Sequence, residues 1–448
     1  MLTPDQAREI AVRLVEQAQA AGASAADAML MADRSSSVSV RLCELEDVSR
    51  SEGQEIGLRV FDGQRSASIS SSDLSAEALA TLVEQALAMA RAAPEDPFAG
   101  LAPSELLFRG ELPDLGAFDG EEPEPAALKG RALEAERAAR AVGGVTNSNG
   151  ASASASASTV ALATSGGFAG AYRASGFGNS ASVVAGEGGA MQRDYAYHSA
   201  RHLADLEEAA EIGRRAGERA AARVNPIKPE PGRYPVIFDP RVATSLLGHF
   251  TGAITGSSIA RGTSFLLGKL GERVFAPGVT IRDDPHRPRG LRSRPFDGEG
   301  LPVRVLDLIA DGVLTTWLAE SAAARQLGIA PTGHALRGIS GAPGAGPSNL
   351  SLQAGNRSRE ELLAAYPRAI LVTELIGQGV NGVTGDYSRG AAGFLVEGGE
   401  IGRPVAEITV ASNLLEMFAT LEPGSDLEYR RGVDAPTVLV PEMTVAAG

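Results

Sequence analysis

Residues 149–158 read Asn-Gly-Ala-Ser-Ala-Ser-Ala-Ser-Ala-Ser, a strict alternation of alanine and serine. A side-chain period of two is that of a β-strand, with alanine on one face and serine on the other. Such low complexity also suits a linker. Yet the run continues unbroken into Thr159-Val160-Ala161-Leu162, and we read it all as one strand. Small side chains on both faces let another layer approach closely. Segments 168–175 and 177–186 are further strand candidates, with glycine at each turn. Upstream, 28–32, 37–42 and 55–61 are strand-like, and Asp62-Gly63 marks a hairpin that returns through 64–70.

Helices flank these strands. Thr3, Pro4 and Gln6 form a capping box with proline at the first helical position, ahead of an apolar face of Ile10, Leu14 and Ala18. Ser75 caps a second helix that carries Leu79, Leu82, Val83 and Leu87 inward and ends before Pro94. A proline-punctuated loop covers 95–124, and a third helix covers 126–142. The order of helix, strands and helix predicts an α+β unit.

The chain has 448 residues, enough for two or three domains with ample core, and 44% of them are hydrophobic, as in a globular protein. The 53 glycines and 5% aromatics suit many turns and strands packed with small side chains. A net charge of −14 argues against direct DNA binding, which rests on neutralising phosphates. Cys43 is the single cysteine, so no internal disulfide can form. The first residues lack the basic head and apolar run of a secretory signal, and no run of about 18 apolar residues suggests a membrane helix. We expect a cytoplasmic protein without membrane or nucleic-acid partners.

Residues 225–235 carry four prolines in eleven positions and mark the clearest boundary. They separate an N-terminal α+β domain, 1–224, from a strand-rich C-terminal domain, 236–448. Val236-Ile237-Phe238 opens the new core, and a helix covers 241–250. Residues 262–273 form a helix or loop. Segments 303–309 and 313–318 make a hairpin over Asp311-Gly312. A loop covers 328–348, a short strand 349–353, and Ser358 with Glu361 forms a second capping box. A final strand covers 437–445. Two clusters invite a metal reading. His198 and His202 stand four apart, which on a helix places both imidazoles on one face. No Glu follows the first, Arg201 lies between them, and a pair entering a helix at 203–223 accounts for them without a metal. Asp283 and Asp284 adjoin His286, but neighbours on a strand face opposite ways, so a turn cap fits better.

The stretch 375–418 is the richest in chemistry. Gly377, Gly379, Gly382 and Gly385 lead into Asp386-Tyr387-Ser388-Arg389, and 393–401 reads as a hairpin turning at Gly398-Gly399. Asn381, Asp386, Tyr387, Ser388 and Arg389 are the candidate contacts for a peptide or a partner, since Asp386 offers an acceptor and Arg389 a fork of donors. The alternative is a structural loop in which Asp386 and Arg389 pair with each other. The run GVNGVTGDYSRGAAGF, the following VEGGEI turn and EITVASNLLEMF closely resemble the TldE (PmbA) branch of the TldD/PmbA family, whose members have been described as modulators of DNA gyrase and as peptidase subunits. The resemblance spans essentially the whole chain.

In the catalytic TldD branch, a helix after the first strand of the second domain carries H-E-x-x-x-H, with two zinc-binding histidines and a glutamate base. Anchored on Arg261-Gly262-Thr263-Ser264, the resemblance places the zinc positions on Leu247 and Gly252 and the base on Gly248. Leucine and glycine have no lone pair for a metal. His249 is out of register and has no partner histidine. That branch also has a C-terminal cysteine ligand, whereas no cysteine follows Cys43 here. Ser388 beside Asp386 lacks a G-x-S-x-G elbow. We therefore expect no catalytic residue, no metal ligand and no cofactor in this chain.

These expectations combine into an α+β chain of two domains, N-terminal helices with an antiparallel or mixed sheet and a strand-rich C-terminal domain of the TldD/PmbA type. The resemblance implies a metal-free subunit of a heterodimeric TldD–TldE zinc peptidase. A TldD-like partner would supply zinc and this chain would shape a channel for unfolded peptides; whether the lone chain forms a homodimer stays open. Two other classes stay open, a stand-alone non-metal hydrolase built on 381–389 and a non-enzymatic scaffold for another cytoplasmic protein.

Overall fold

Thr3 caps the first helix as its spacing predicts, accepting from Gln6 N at 3.3 Å while Gln6 Oε1 accepts from Thr3 N at 3.0 Å. The computed structural model describes residues 1–447. The first half runs α1 (Pro4–Ala20), β1 (Ala25–Arg41), β2 (Glu44–Asp62), β3 (Arg65–Ser71), α2 (Ala76–Ala92), α3 (Pro125–Arg140), β4 (Val145–Thr164), β5 (Ala169–Ala185), β6 (Gln192–Ala200) and α4 (Ala209–Ala222). Its six strands form one antiparallel sheet, ordered β3-β2-β1-β4-β5-β6.

Strand alternation sorts this sheet into two unlike faces. Ala26, Ala28 and Leu30 of β1, with Ala161 and Ala163 of β4, are buried in one core with α1 and α2. Farther along the same face, Val38 and Val40 with Ala151, Ala153 and Ala155 are buried with α3 and α4. All four helices therefore lie on one side, and the alanines of the alternating run are what α3 packs on. On the opposite face Met29, Val160 and Leu162 pack with Phe168 and with Phe296 and Leu301 of the second half. The Phe168 and Phe296 rings meet edge to face at 4.8 Å. Beyond that contact the same face carries the serines. Ser35, Ser37 and Ser39 lie across from Ser156, Ser154 and Ser152.

The second half runs β7 (Gly232–Phe238), α5 (Pro240–Ala253), α6 (Gly256–Ala260), β8 (Ile281–Asp283), β9 (Leu306–Ala310), β10 (Val313–Leu314), α7 (Ser321–Leu327), β11 (Ala335–Leu336), β12 (Gly344–Ala345), β13 (Leu350–Leu352), α8 (Arg359–Leu363), β14 (Arg368–Ile376), β15 (Asp386–Glu397), β16 (Glu400–Asn413), α9 (Leu414–Thr420), β17 (Glu422–Pro423), β18 (Val433–Asp434) and β19 (Val438–Ala447). β7 lies between β14, parallel, and β19, antiparallel. β16 pairs with both β15 and β19, so β16-β15-β14-β7-β19 closes on itself. A second sheet is ordered β10-β9-β8-β13-β18. Phe238, Phe250, Phe275 and Phe418 anchor the core between them. Among the described residues, no helix is long and apolar enough to cross a membrane.

Several boundaries differ from those read in the sequence. The segments 28–32 and 37–42 are one strand, β1, and 168–175 and 177–186 are one strand, β5, because pairing along long neighbours carries each across its polar or glycine-containing middle. The last four residues of the expected linker, from Gly232, already belong to β7, where β19 supplies their ladder. The helix expected over 203–223 begins at Ala209, and His198 lies in β6. Residues 262–273 are irregular, and the loop 328–348 holds the short β11–β12 pair.

The two halves meet through buried charge as well as aromatic contact. Asp27 of β1 sits opposite Arg59 of β2 and accepts from its Nε at 3.1 Å. Arg337, from the second half, reaches across to the same carboxylate. Burial opposes the Asp27 charge, but the two guanidiniums outweigh it and hold the carboxyl below its usual range. Gly57 lets the second half come this close, since a Cβ there would stand 1.6 Å from the carbonyl oxygen of Ile339.

Glu299 lies beside this network, 4% exposed, and accepts from Ser321 N at 2.9 Å and Ser321 Oγ at 2.6 Å. Burial pushes its carboxyl up to about 7, and nearby Asp297 adds like charge. The folded chain thus keeps a proton that the unfolded chain releases near 4.5. The stabilisation is complete below that value and is lost as pH rises through about 7. We predict that Glu299→Gln flattens the fall in melting temperature between about pH 5 and about pH 8, a window that carries about 3 kcal/mol for a group so placed. Parallel pH profiles for the two proteins would overturn this assignment.

Candidate functional site

Helix α5 starts where β7 ends. Asp239 caps it, with its side chain accepting from Arg241 N at 3.2 Å, and Pro240 takes the first helical position. Leu246, Leu247 and Phe250 face the core, where the Phe250 ring meets Phe275 at 5.3 Å. Leu247 is thus held in place as a hydrophobic side chain, and Gly248 and Gly252 present open space rather than any donor. The next polar group on the helix is His249. It meets the ring of Tyr387 edge on at 5.9 Å.

Tyr387 comes from β15, and the strand's period decides what accompanies it. Tyr387 and Arg389 point to the buried face, at 1% and 9% exposure. Asp386 and Ser388 point outward and are exposed, as is Asn381 in the preceding loop. The five candidate residues are therefore split. Two of them join His249, and three belong to the loop surface. The alternative pairing of Asp386 with Arg389 does not form, because the two side chains leave opposite faces of the strand. Asp386 instead accepts from Thr384 Oγ1 at 2.6 Å and Asn413 Nδ2 at 3.2 Å, and these bonds, Thr384 first, hold its carboxyl below the usual range.

The loop is shaped by its backbone. Asn381 N donates to Asp386 O and Gly385 N to Asn381 O, both at 2.8 Å, and Asn381 Oδ1 accepts from Val383 N at 2.9 Å. Gly379 accepts from Ser388 N at 2.7 Å, and a Cβ at Gly379 would lie 2.0 Å from Ser388 O. No other residue fits that contact.

Inside, His249 Nε2, Tyr387 Oη and Arg389 Nε are all buried without a hydrogen-bond partner among the described residues. Such atoms are rare, and three of them in one cluster mark a place where a polar group can be received. Burial, and then the Arg389 charge, hold the His249 imidazole below its usual range, so the ring is neutral at pH 7. Burial pushes the Tyr387 hydroxyl up, so the phenol keeps its proton. The cluster offers a hydroxyl donor, a guanidinium donor and an imidazole, a set suited to a carbonyl or carboxylate oxygen. It opposes a divalent cation, having one imidazole and a fixed positive charge beside it. His249 was passed over in the sequence because its register with the metal motif is wrong. Its pairing with β15, more than 130 residues away, had no local signal.

The other candidates have structural roles. Asp283 is 1% exposed and accepts from Ser348 N at 2.7 Å and Ser348 Oγ at 2.9 Å, with His334 Nε2 at 3.4 Å. Here the serine hydroxyl is bound to the aspartate rather than to the histidine, so no base activates it. Asp284 caps its turn, accepting from His286 N at 3.0 Å. His198 Nδ1 accepts from Glu207 N at 3.1 Å, and His202 Nε2 meets Gly116 O at 2.8 Å. Each pins a different segment, and they do not share the helical face their spacing suggested. Among the described residues, no group of three or more His, Cys, Asp or Glu is arranged to hold a metal ion.

Comparison with known proteins assigns this architecture. Residues 231–447 match the PmbA/TldA metallopeptidase C-terminal domain, 118–224 the central domain and 26–90 domain 1. The chain is 40% identical over 412 residues to the metalloprotease PmbA of Escherichia coli O157:H7, covering 92% of this chain and 89% of that one. It is 37% identical over 435 residues to a PmbA homologue of Haemophilus influenzae, covering 96% and 94%. The crystal structure of a protein named as a modulator of DNA gyrase from Bacteroides thetaiotaomicron superposes with a TM-score of 0.92 at 27% identity, over 100% of both chains. TldE from Thermococcus kodakarensis shares the fold, with a TM-score of 0.87 at 22% identity, over 97% of this chain and 99% of that one. With its three domains in order and its relatives matched over nearly their full length, the chain belongs to the TldD/PmbA family.

Proposed function

We propose that this chain is the metal-free, TldE-type subunit of a heterodimeric zinc peptidase, and that it positions extended peptides rather than breaking them. The observation that carries this reading is the content of α5 and the strand beside it. Leu247 is committed to the core, Gly248 and Gly252 offer nothing, and Arg389 stands as a buried cation beside the one imidazole. A zinc ion does not fit these residues, and no catalytic step here is assigned to one. What they do fit is a backbone carbonyl or a carboxylate, which gives the subunit a binding role.

Two surface features support a peptide or partner role. The serine face of the first sheet, Ser35, Ser37 and Ser39 opposite Ser156, Ser154 and Ser152, lies clear of the helices. β3 pairs with β2 only over 56–62, so residues 44–55 form an exposed outer edge. An edge strand offers unpaired backbone groups to an added extended chain. The TldD-like partner would bring the zinc, and cytoplasmic peptides would be the substrate. The glycine loop, exposed at Asn381, Asp386 and Ser388, would face that partner.

Two experiments test the reading. Elemental analysis of the purified chain should find no stoichiometric zinc, and cleavage of an unfolded peptide should appear only on mixing with an H-E-x-x-x-H relative and should vanish with chelator. One zinc per chain, or chelator-resistant cleavage by the lone chain, would refute it. Arg389→Met removes a buried charge that has no carboxylate partner among the described residues. The lone chain should therefore melt as before or slightly higher, whereas the reconstituted pair should lose about tenfold or more in cleavage, the equivalent of one charged hydrogen bond. Equal loss of stability and activity would mean that Arg389 only holds the fold.

A further inference from the structure

A cleft of about 280 Å³ opens where β6 and α4 of the first half meet the start of α5 and the segment before β19. Arg215, Arg219, Arg241, Arg359, Arg430 and Arg431 all line it. Six guanidiniums around one cavity are unexpected in a chain of net charge −14. The carboxylates at the cleft are largely committed. Asp239 caps α5 and pairs with Arg359 at 3.0 Å. Asp426 accepts from Thr437 N at 2.9 Å and Thr437 Oγ1 at 2.7 Å. Asp434 accepts from the backbone N–H of Arg430 and Arg431, at 3.0 and 2.8 Å, and from Arg287 Nη1 at 3.1 Å. Glu207 is shared by Arg215 and Arg430, and Asp194 by Arg223 and Arg241. Glu428, exposed at the rim, reaches Arg430 at 3.3 Å.

Two arginines are left over. Arg219 donates only to the Tyr195 carbonyl oxygen, at 3.3 Å, and Arg431 only to the Tyr197 hydroxyl, at 2.9 Å. Neither makes an ion pair among the described residues. Burial, and then the like charge of Arg241, hold the Arg219 guanidinium below its usual range, so its charge is poorly compensated where it stands. The rings of Tyr195 and Tyr197 stack at 6.2 Å with 16° between their planes and stay about 40% exposed, giving the cleft an aromatic wall. A fold does not gather uncompensated cations in a cavity without cost, and an anion that enters gains several charged donors at once.

We propose that this cleft binds a small organic anion with at least two negative charges, its oxyanion groups taken by Arg219 and Arg431 and its body lying against Tyr195 and Tyr197. The cavity exceeds the size of a lone phosphate, which is why an organic body is included. The shared chemistry is a paired oxyanion, and it has two sources, a phosphate ester or a dicarboxylate such as the acidic end of a peptide. The site is separate from the His249 cluster and does not depend on the peptidase reading.

The test uses the full chain at low salt, with glycerol 2-phosphate and the dipeptide Glu-Glu as probes, read by melting temperature and calorimetry. One of them should bind saturably and raise the melting temperature, and which one does so identifies the source. Arg219→Gln with Arg431→Gln should weaken that binding by about tenfold per arginine, the loss expected for a charged hydrogen bond. The unliganded double variant should melt at the wild-type temperature, because neither arginine holds an ion pair among the described residues. No saturable binding of either probe, or equal binding by the double variant, would overturn the site. A fall of several degrees in the unliganded variant would show that the two arginines are structural and would overturn it as well.

Discussion

The carboxylate of Asp27, shared by Arg59 and Arg337, is the interaction on which the arrangement of the two halves depends. All three side chains are buried, so each needs the others. Removing one member of such a set leaves a bare charge in the interior and costs about 3–5 kcal/mol, although the intact set adds little over well-packed apolar residues. Its contribution is register. Asp27 and Arg59 are direct partners across β1 and β2, so Arg337 can meet them only if the second half docks at one place on the sheet. The apolar contact of Met29, Val160 and Leu162 with Phe296 and Leu301 supplies the non-directional attraction around it. The same β-strands then run on past this contact into the serine rows, so docking at one end of the face leaves the other end open.

A second constraint comes from the closed sheet of the C-terminal half. β16 pairs on both edges, so β15 cannot slide without breaking the ring. A slip of one residue would exchange Tyr387 and Arg389 for Asp386 and Ser388 on the α5 face. The ring therefore holds two unpaired polar atoms, on Tyr387 and Arg389, against the unpaired Nε2 of His249 on α5, an arrangement that costs stability and that cooperative packing elsewhere must offset. In a family named for metallopeptidases, this chain puts a cation and a phenol beside its single imidazole. That set of groups suits an oxygen acceptor, which is the basis of the binding role proposed above.

Much of this molecule was legible in its sequence. Local rules placed the capping boxes at Thr3 and Ser358, the hairpins at Asp62-Gly63 and Gly398-Gly399, and the strand nature of 149–158. These depend on contacts within a few residues or on a period of two, so the residues themselves carry the information. The halves of β1 and β5 read as separate strands because a polar or glycine-containing middle looks like a turn until a long neighbour pairs with it.

The tertiary structure alone decided which polar residues meet. Asn381, Asp386, Tyr387, Ser388 and Arg389 form one cluster along the chain, but the strand's alternation sends them to two faces, and only the fold of the ring says which face is buried. His249 joined Tyr387 and Arg389, Arg337 joined Asp27, and Arg219 and Arg431 came to one cleft from positions 212 residues apart in number. The sequence by itself determined the element types and the family, because each rests on residue identity and short-range geometry. The juxtapositions needed the structure, because electrostatics and hydrogen bonding act over a few ångströms in space and leave no periodic trace along the chain.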